Sequence, residues 1–301
     1  MDIVSNSMNR YLEMVHLGKT DWWRFLLSII LMISFWQILG GLPVIVLLVW
    51  VMGDGNPQTG VSSNGQFFGV NPTLSFSVQM MASLFFILGI FVAIRFIHDR
   101  PFKSLITPTL NIDWRRIFQG FIVWFILLGT MSLLEAFLYP GRYSFSLNLH
   151  IYIPFALVAL VLLPIQTTAE ELFFRGYIIQ STGLRISNIF LLSSISGFIF
   201  MVPHLLNPEA RLNYLLMGFY YFIIGGVMAF ITLREGRLEL ALGLHAANNV
   251  FSALIANYTI TVLPTPSVFT VNTLDVIYSV LAAVIGLIGF ILVFTNPKTK
   301  Q

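Results

Sequence analysis

The sequence predicts an all-α fold, a polytopic integral membrane helical bundle of about eight transmembrane helices, and three observations carry that prediction. First, 57% of the residues are hydrophobic and only 10% are charged, with a mean hydropathy of +0.84, far from the composition of a water-soluble domain. Second, eight apolar runs approach the roughly 20 residues that a helix needs to cross a hydrocarbon core. Third, the Lys and Arg residues between those runs fall almost entirely on one side.

Taken in order, residues 1–24 are polar and mixed in charge, and no small-residue cleavage site follows the first apolar run. They read as a cytoplasmic N-terminal segment, not a removable signal peptide. The runs at 25–51, 75–97 and 116–138 form an N-terminal membrane block over 25–149. Those at 152–172, 188–206, 213–233 and 238–257 make up a central unit, 150–257, and 273–295 gives the last helix of 258–301, with a short tail. The breaks are short except for Gly53 to Pro72 and His98 to Arg116, so the runs read as one compact domain. Asp21-Trp22-Trp23-Arg24 and Asn111 to Arg116 set Trp beside charge, the pattern of anchoring at the headgroups.

With the N-terminus in the cytoplasm, that side receives Arg10, Lys19, Arg24, Arg95, Arg100, Lys103, Arg115, Arg116, Arg175, Arg185, Arg234, Arg237, Lys298 and Lys300. The opposite side receives only Arg142 and Arg211. Both termini are therefore expected in the cytoplasm. Short loops and the lack of a targeting peptide point to a bacterial inner membrane.

Composition also excludes several chemistries. There is no cysteine, hence no disulfide, thiolate zinc site or cysteine nucleophile. The net charge of +3 is spread along the chain, which leaves no footprint for nucleic acid.

An ionisable side chain at membrane depth costs roughly 2.5–3.5 kcal/mol on insertion scales, so each one needs a partner or a purpose. Here they gather in the fourth, fifth and seventh runs. The fourth ends in Thr168-Ala169-Glu170-Glu171-Leu172-Phe173-Phe174-Arg175-Gly176, where Glu171 and Arg175 share a helix face and can neutralise each other. Glu170, about 100° around the helix, is left with no local partner and is expected to exchange a proton with water as a general base. The fifth run carries Phe200-Met201-Val202-Pro203-His204, and the seventh carries His245-Ala246-Ala247-Asn248-Asn249, with His245 and Asn249 on one face. An imidazole and a carboxamide side by side can stabilise an oxyanion as a carbonyl turns tetrahedral, and His204 can share a water with Glu170. Taken singly, an intramembrane His or Asn most often hydrogen-bonds a neighbouring helix. Three such sites in this order on three runs of one chain favour a functional site.

These motifs, Glu170/Glu171/Arg175, Phe200/His204 and His245/Asn249, resemble the three signature motifs of the CPBP family of intramembrane proteases (CAAX prenyl protease type II, also called Abi), over about residues 150–255. The best-known member trims prenylated CAAX proteins in the endoplasmic reticulum. The resemblance implies that Glu170 activates the hydrolytic water, His204 helps bind it, His245 and Asn249 hold the oxyanion, and Glu171 and Arg175 support the site. It implies as partners the lipid bilayer and a membrane-embedded or lipidated protein or peptide substrate. The family is often called a metalloprotease. A zinc reading takes Glu170, His204 and His245 as ligands by type, whereas the favoured reading needs no cofactor. A proton-coupled transporter and a non-catalytic membrane scaffold or immunity protein are the rivals from other classes.

Other intramembrane protease motifs are absent: there is no His-Glu-x-x-His and no Gly-x-Gly-Asp, and Ser194-Ile195-Ser196-Gly197 lacks the first Gly of a rhomboid-like site. That serine cluster and Gly225-Gly226 read as small-residue helix packing. Glu135 lies near an interface and takes no catalytic role. His16, His98 and His150 read as solvated. One geometric tension concerns depth, because Glu170 near the end of the fourth run and His204 near the far end of the fifth are too far apart unless the fourth helix continues to about Thr182 or the fifth breaks at Pro203.

Overall fold

A computed structural model describes residues 2–62 and 65–295; Lys298 and Lys300 lie outside the described residues. A short helix α1 (Asp2–Leu12) precedes α2 (Trp22–Gly53), α3 (Pro72–Ile97), α4 (Trp114–Leu138), α5 (Leu149–Thr182), α6 (Ile189–His204), α7 (Tyr214–Glu235), α8 (Glu239–Leu254) and α9 (Val276–Thr295). The chain itself sets several starts: Asn71, Asp113, Asn148, Asn188 and Asn213 each accept backbone N–H groups from the first turn of the helix that follows. At the end of α7, Gly236 takes a left-handed φ of 66°, and a Cβ there would meet the Ser7 carbonyl of α1 at 2.4 Å. Glycine thus lets the turn close on the N-terminal helix.

Among the described residues, α2, α3, α4, α5, α7 and α9 are long and apolar enough to cross a bilayer. The other two expected spans, α6 and α8, have 16 residues each. At 1.5 Å per residue they reach about 24 Å against a hydrocarbon core of about 30 Å, so six helices among the described residues are long enough to span and the expected count of eight is not reached by length. Their placement differs. Helix α6 shows Phe190, Phe198 and Val202 to the outside, whereas α8 is enclosed, with every residue from Glu239 to Ala247 buried.

Small residues bring the inner helices together. A Cβ on Gly243 of α8 would lie 2.0 Å from the Ile117 carbonyl oxygen of α4, and one on Gly120 would lie 2.6 Å from the Leu240 carbonyl oxygen. In the same way Gly197 of α6 meets the backbone of Phe222 and Gly226 in α7. These approaches admit no side chain, which is how helices pack when lipid competes for apolar surface. The main core then runs from Met32 through Trp124, Phe200 and Leu244 to Phe290, joining α2 to α9.

Short strands trim the end of the bundle away from α1: a hairpin of β1 (Gly60–Val61) and β2 (Phe67–Phe68), and a three-stranded sheet of β3 (Tyr143–Phe145), β4 (Ala256–Tyr258) and β5 (Phe269–Val271) in the order β3-β5-β4. Here Glu135 is buried, accepting from Arg142 (3.1 Å) and from the Tyr143 hydroxyl (2.7 Å), while Arg142 also reaches Asp275 (2.8 Å). Its work is to tie α4, β3 and α9 together. His16 and His150 are exposed, as expected. His98 is not: it is buried between the Lys19 carbonyl (2.8 Å) and the Tyr177 hydroxyl (3.0 Å), because the loop after α3 folds under α5.

Candidate active site

Helix α5 resolves the depth problem, since it continues without interruption to Thr182. Glu170 then stands twelve residues, about 18 Å, from its end, and His204 stands fifteen residues, about 22 Å, into α6, so the two lie at similar depth without a break at Pro203. Immediately after Glu171 the helix widens into a π segment, Leu172–Ile178, a feature frequent at functional sites. Gly176 in that segment lies against Leu105, where a Cβ would sit 3.1 Å from the leucine side chain.

Arg175 and Glu171 are both fully buried and paired at 2.7 Å. The guanidinium also donates to the Gly225 carbonyl of α7 (3.1 Å) and lies 4.4 Å over the Phe200 ring of α6. One side chain thus fixes three helices to each other. The same Glu171 oxygen, Oε1, accepts from His245 Nδ1 of α8 at 2.7 Å. Since an ionised carboxylate only accepts, His245 carries its proton on Nδ1 and turns Nε2 toward Glu170 Oε2, 3.7 Å away.

Glu170 is held differently from the sequence expectation. It has a local partner, Gln166, one turn earlier, whose amide donates to Oε1. Gln166 in turn accepts from Asn249 Nδ2 (2.8 Å), Asn249 accepts from Asn248 (3.2 Å), and Asn248 accepts from the Trp124 indole (3.3 Å). Every donor in this line points toward Glu170. The line places Asn249 in contact with Glu170 through Gln166 and leaves one Asn249 N–H for another acceptor. Glu170 Oε2 is buried with no hydrogen-bond partner among the described residues.

His204 joins through packing. Its ring lies 4.2 Å from that of Phe200, which is itself 5.9 Å from that of His245. Its Nδ1 bonds the Phe200 carbonyl at 2.7 Å, and because a carbonyl can only accept, the lone pair is on Nε2. Glu170, His204, His245 and Asn249 all line one cavity of about 500 Å³, within the usual range of ligand pockets. Trp36, Met80 and Phe86 of α2 and α3 supply part of its apolar wall. Gln166 was not singled out in the sequence; a lone amide one turn before Glu170 on an apolar helix was the signal available. Among the described residues no group of three or more His, Cys, Asp or Glu side chains is placed to hold a metal ion.

A family model described as type II CAAX prenyl endopeptidase Rce1-like matches residues 149–251, from the start of α5 to near the end of α8, so that Gln166, Glu170, Glu171, Arg175, His204, His245 and Asn249 fall inside it while Trp124 and the wall residues of α2 and α3 do not. The uncharacterized protein YyaK of Bacillus subtilis (strain 168) is 33% identical over 267 residues, 88% of this chain and 88% of that protein. No solved structure matches the chain. An apolar helical bundle, this relative across most of its length and the matched domain together establish that the chain belongs to the CPBP family of CAAX-type intramembrane proteases.

Proposed function

We propose that the protein is an intramembrane endopeptidase that hydrolyses a peptide bond of a membrane-embedded or lipidated protein or peptide by means of a water activated by Glu170. The observation that carries this reading is the free oxygen of Glu170, buried yet on the wall of a cavity shared with His204, His245 and Asn249. A water between Glu170 Oε2 and His204 Nε2 would donate one hydrogen to each. As its oxygen attacks the scissile carbonyl, Glu170 takes the proton. The oxyanion accepts from the open N–H of Asn249 and from His245 Nε2–H, which requires His245 to be the imidazolium with Nδ1–H retained on Glu171. The tetrahedral centre then collapses, the C–N bond breaks, and the proton on Glu170 passes to the leaving amine.

Glu171 and Arg175 support this chemistry by holding the His245 ring and locking α5 to α7. The apolar wall suits a lipid chain or a hydrophobic segment of the substrate. The zinc reading has admissible ligand types in Glu170, His204 and His245, and the His245 Nδ1 bond to Glu171 would leave Nε2 for the ion; the reaction proposed here needs no metal. We place the protein in a bacterial inner membrane with both termini cytoplasmic, as the distribution of Lys and Arg supports.

The test is cleavage of farnesylated and hydrophobic peptides by purified protein in detergent, with products read by mass spectrometry. Wild type is expected to cleave with and without a zinc chelator, and Glu170→Ala is expected not to. Loss of cleavage on chelation would shift the reading to the metal, and no cleavage by wild type would contradict it.

A further inference from the structure

The cavity holds a second carboxylate that this reaction does not use. After His204 the chain enters a 3₁₀ turn, Pro208–Leu212, which brings Glu209 into the wall that Glu170 also lines. Fully buried Ala210, packed with Met217 and Tyr221, pins the turn in place. Glu209 Oε1 accepts the Tyr221 hydroxyl at 2.9 Å and Asn207 Nδ2 at 3.4 Å. Its other oxygen, Oε2, is buried with no hydrogen-bond partner among the described residues. The Tyr221 ring lies 4.8 Å from the His204 ring, so Tyr221 separates the carboxylate from the water-binding histidine. Arg211, two residues on, is exposed.

A carboxylate with one oxygen oriented by donors and the other desolvated costs free energy until a cation reaches it. We infer that Glu209 is a specificity-determining residue that receives the ammonium or guanidinium of a Lys or Arg side chain in the substrate polypeptide, close to the scissile bond on the Tyr221 side. This rests on the protease reading of the cavity. The apolar wall holds the hydrophobic part of the substrate, and Glu209 sets the register by selecting where the positive charge sits. Selection by a desolvated, partly pre-oriented carboxylate favours a charged side chain over a neutral one of equal length, because an uncharged chain leaves Oε2 buried and unpaired.

The experiment uses the full-length protein carrying Glu170→Gln, so that peptides bind without turnover, and fluorescence anisotropy of N-acetylated farnesyl peptides in which lysine, norleucine or acetyl-lysine is moved one position at a time. At one position lysine should bind about tenfold tighter than norleucine, and acetyl-lysine should bind like norleucine. Adding Glu209→Gln should bring that ratio to about one, while Glu209→Lys should favour a glutamate at the same position. Equal binding of lysine and norleucine peptides at every position, or a lysine preference that survives Glu209→Gln, would overturn the inference. Wild-type cleavage separates this from the function itself: charge-blind cleavage leaves the protease reading standing and removes the role of Glu209, whereas charge-selective binding without cleavage does the reverse.

Discussion

Removing Arg175 tests whether the three inner helices are held as described. In Arg175→Met the fully buried Glu171 loses its 2.7 Å ion pair, Gly225 loses its donor and Phe200 loses the cation above its ring. Breaking a buried pair from one side costs about 3–5 kcal/mol, chiefly from the charge left behind. The lost backbone hydrogen bond adds about 1 kcal/mol, and the methionine returns part of the packing volume. The expected loss is therefore about 4 kcal/mol, measured by unfolding in mixed detergent–SDS micelles with Trp fluorescence. Adding Glu171→Gln should recover at least half of it, because no unpaired charge remains, but should not recover cleavage, because His245 then loses its carboxylate. A loss below about 1 kcal/mol for Arg175→Met, or no recovery in the double variant, would refute the argument that charge burial at this site dominates.

Other outcomes follow from single contacts. Gln166→Leu should lower the cleavage rate by about 10²-fold with little change in substrate affinity, since it frees Glu170 to rotate and unlinks it from Asn249; the split between kcat and KM reads this directly. Gly243→Ala should destabilise by about 1–3 kcal/mol because its Cβ would strike the backbone of α4, whereas Gly129→Ala, whose nearest neighbour is a Phe251 ring carbon at 3.9 Å, should be tolerated in the same unfolding assay. His98 is held neutral below its usual range, chiefly by burial. The unfolded chain binds its proton first, so this contribution is complete above the unfolded value of 6.5 and is lost as the pH falls from there toward the folded value. Unfolding midpoints measured between pH 7 and pH 5 should fall, and less steeply in His98→Gln.

Much of the site was legible in the sequence because charge at membrane depth is rare. Glu171 and Arg175 are four residues apart on one helix, so their pairing follows from helical geometry alone, and the continuation of α5 to Thr182 is one of the two ways the sequence left open for bringing Glu170 level with His204, the other being a break at Pro203. The partner of Glu170 was hidden because an amide carries no charge signal, and the bond that completes it spans the 83 residues from Gln166 to Asn249. Burial of His98 depends on Lys19 and Tyr177, each 79 residues away, and no local pattern reports that. Hydropathy likewise treats lipid and protein alike. Helix α8 reads as a span by composition although its apolar residues face other helices, and its 16-residue length was apparent only once its ends at Glu239 and Leu254 were placed. The strands escaped because each is only two or three residues long.

The most direct test of the central claim is the ratio of cleavage rates of wild type and Glu170→Gln on one peptide that wild type cleaves, with both proteins shown to unfold at the same midpoint. The amide keeps the shape and the contact with Gln166 but cannot take a proton from water, so a drop of about 10³-fold is expected. Cleavage by Glu170→Gln at the wild-type rate would show that another group activates the water, and the assignment of Glu170 as the base would fall.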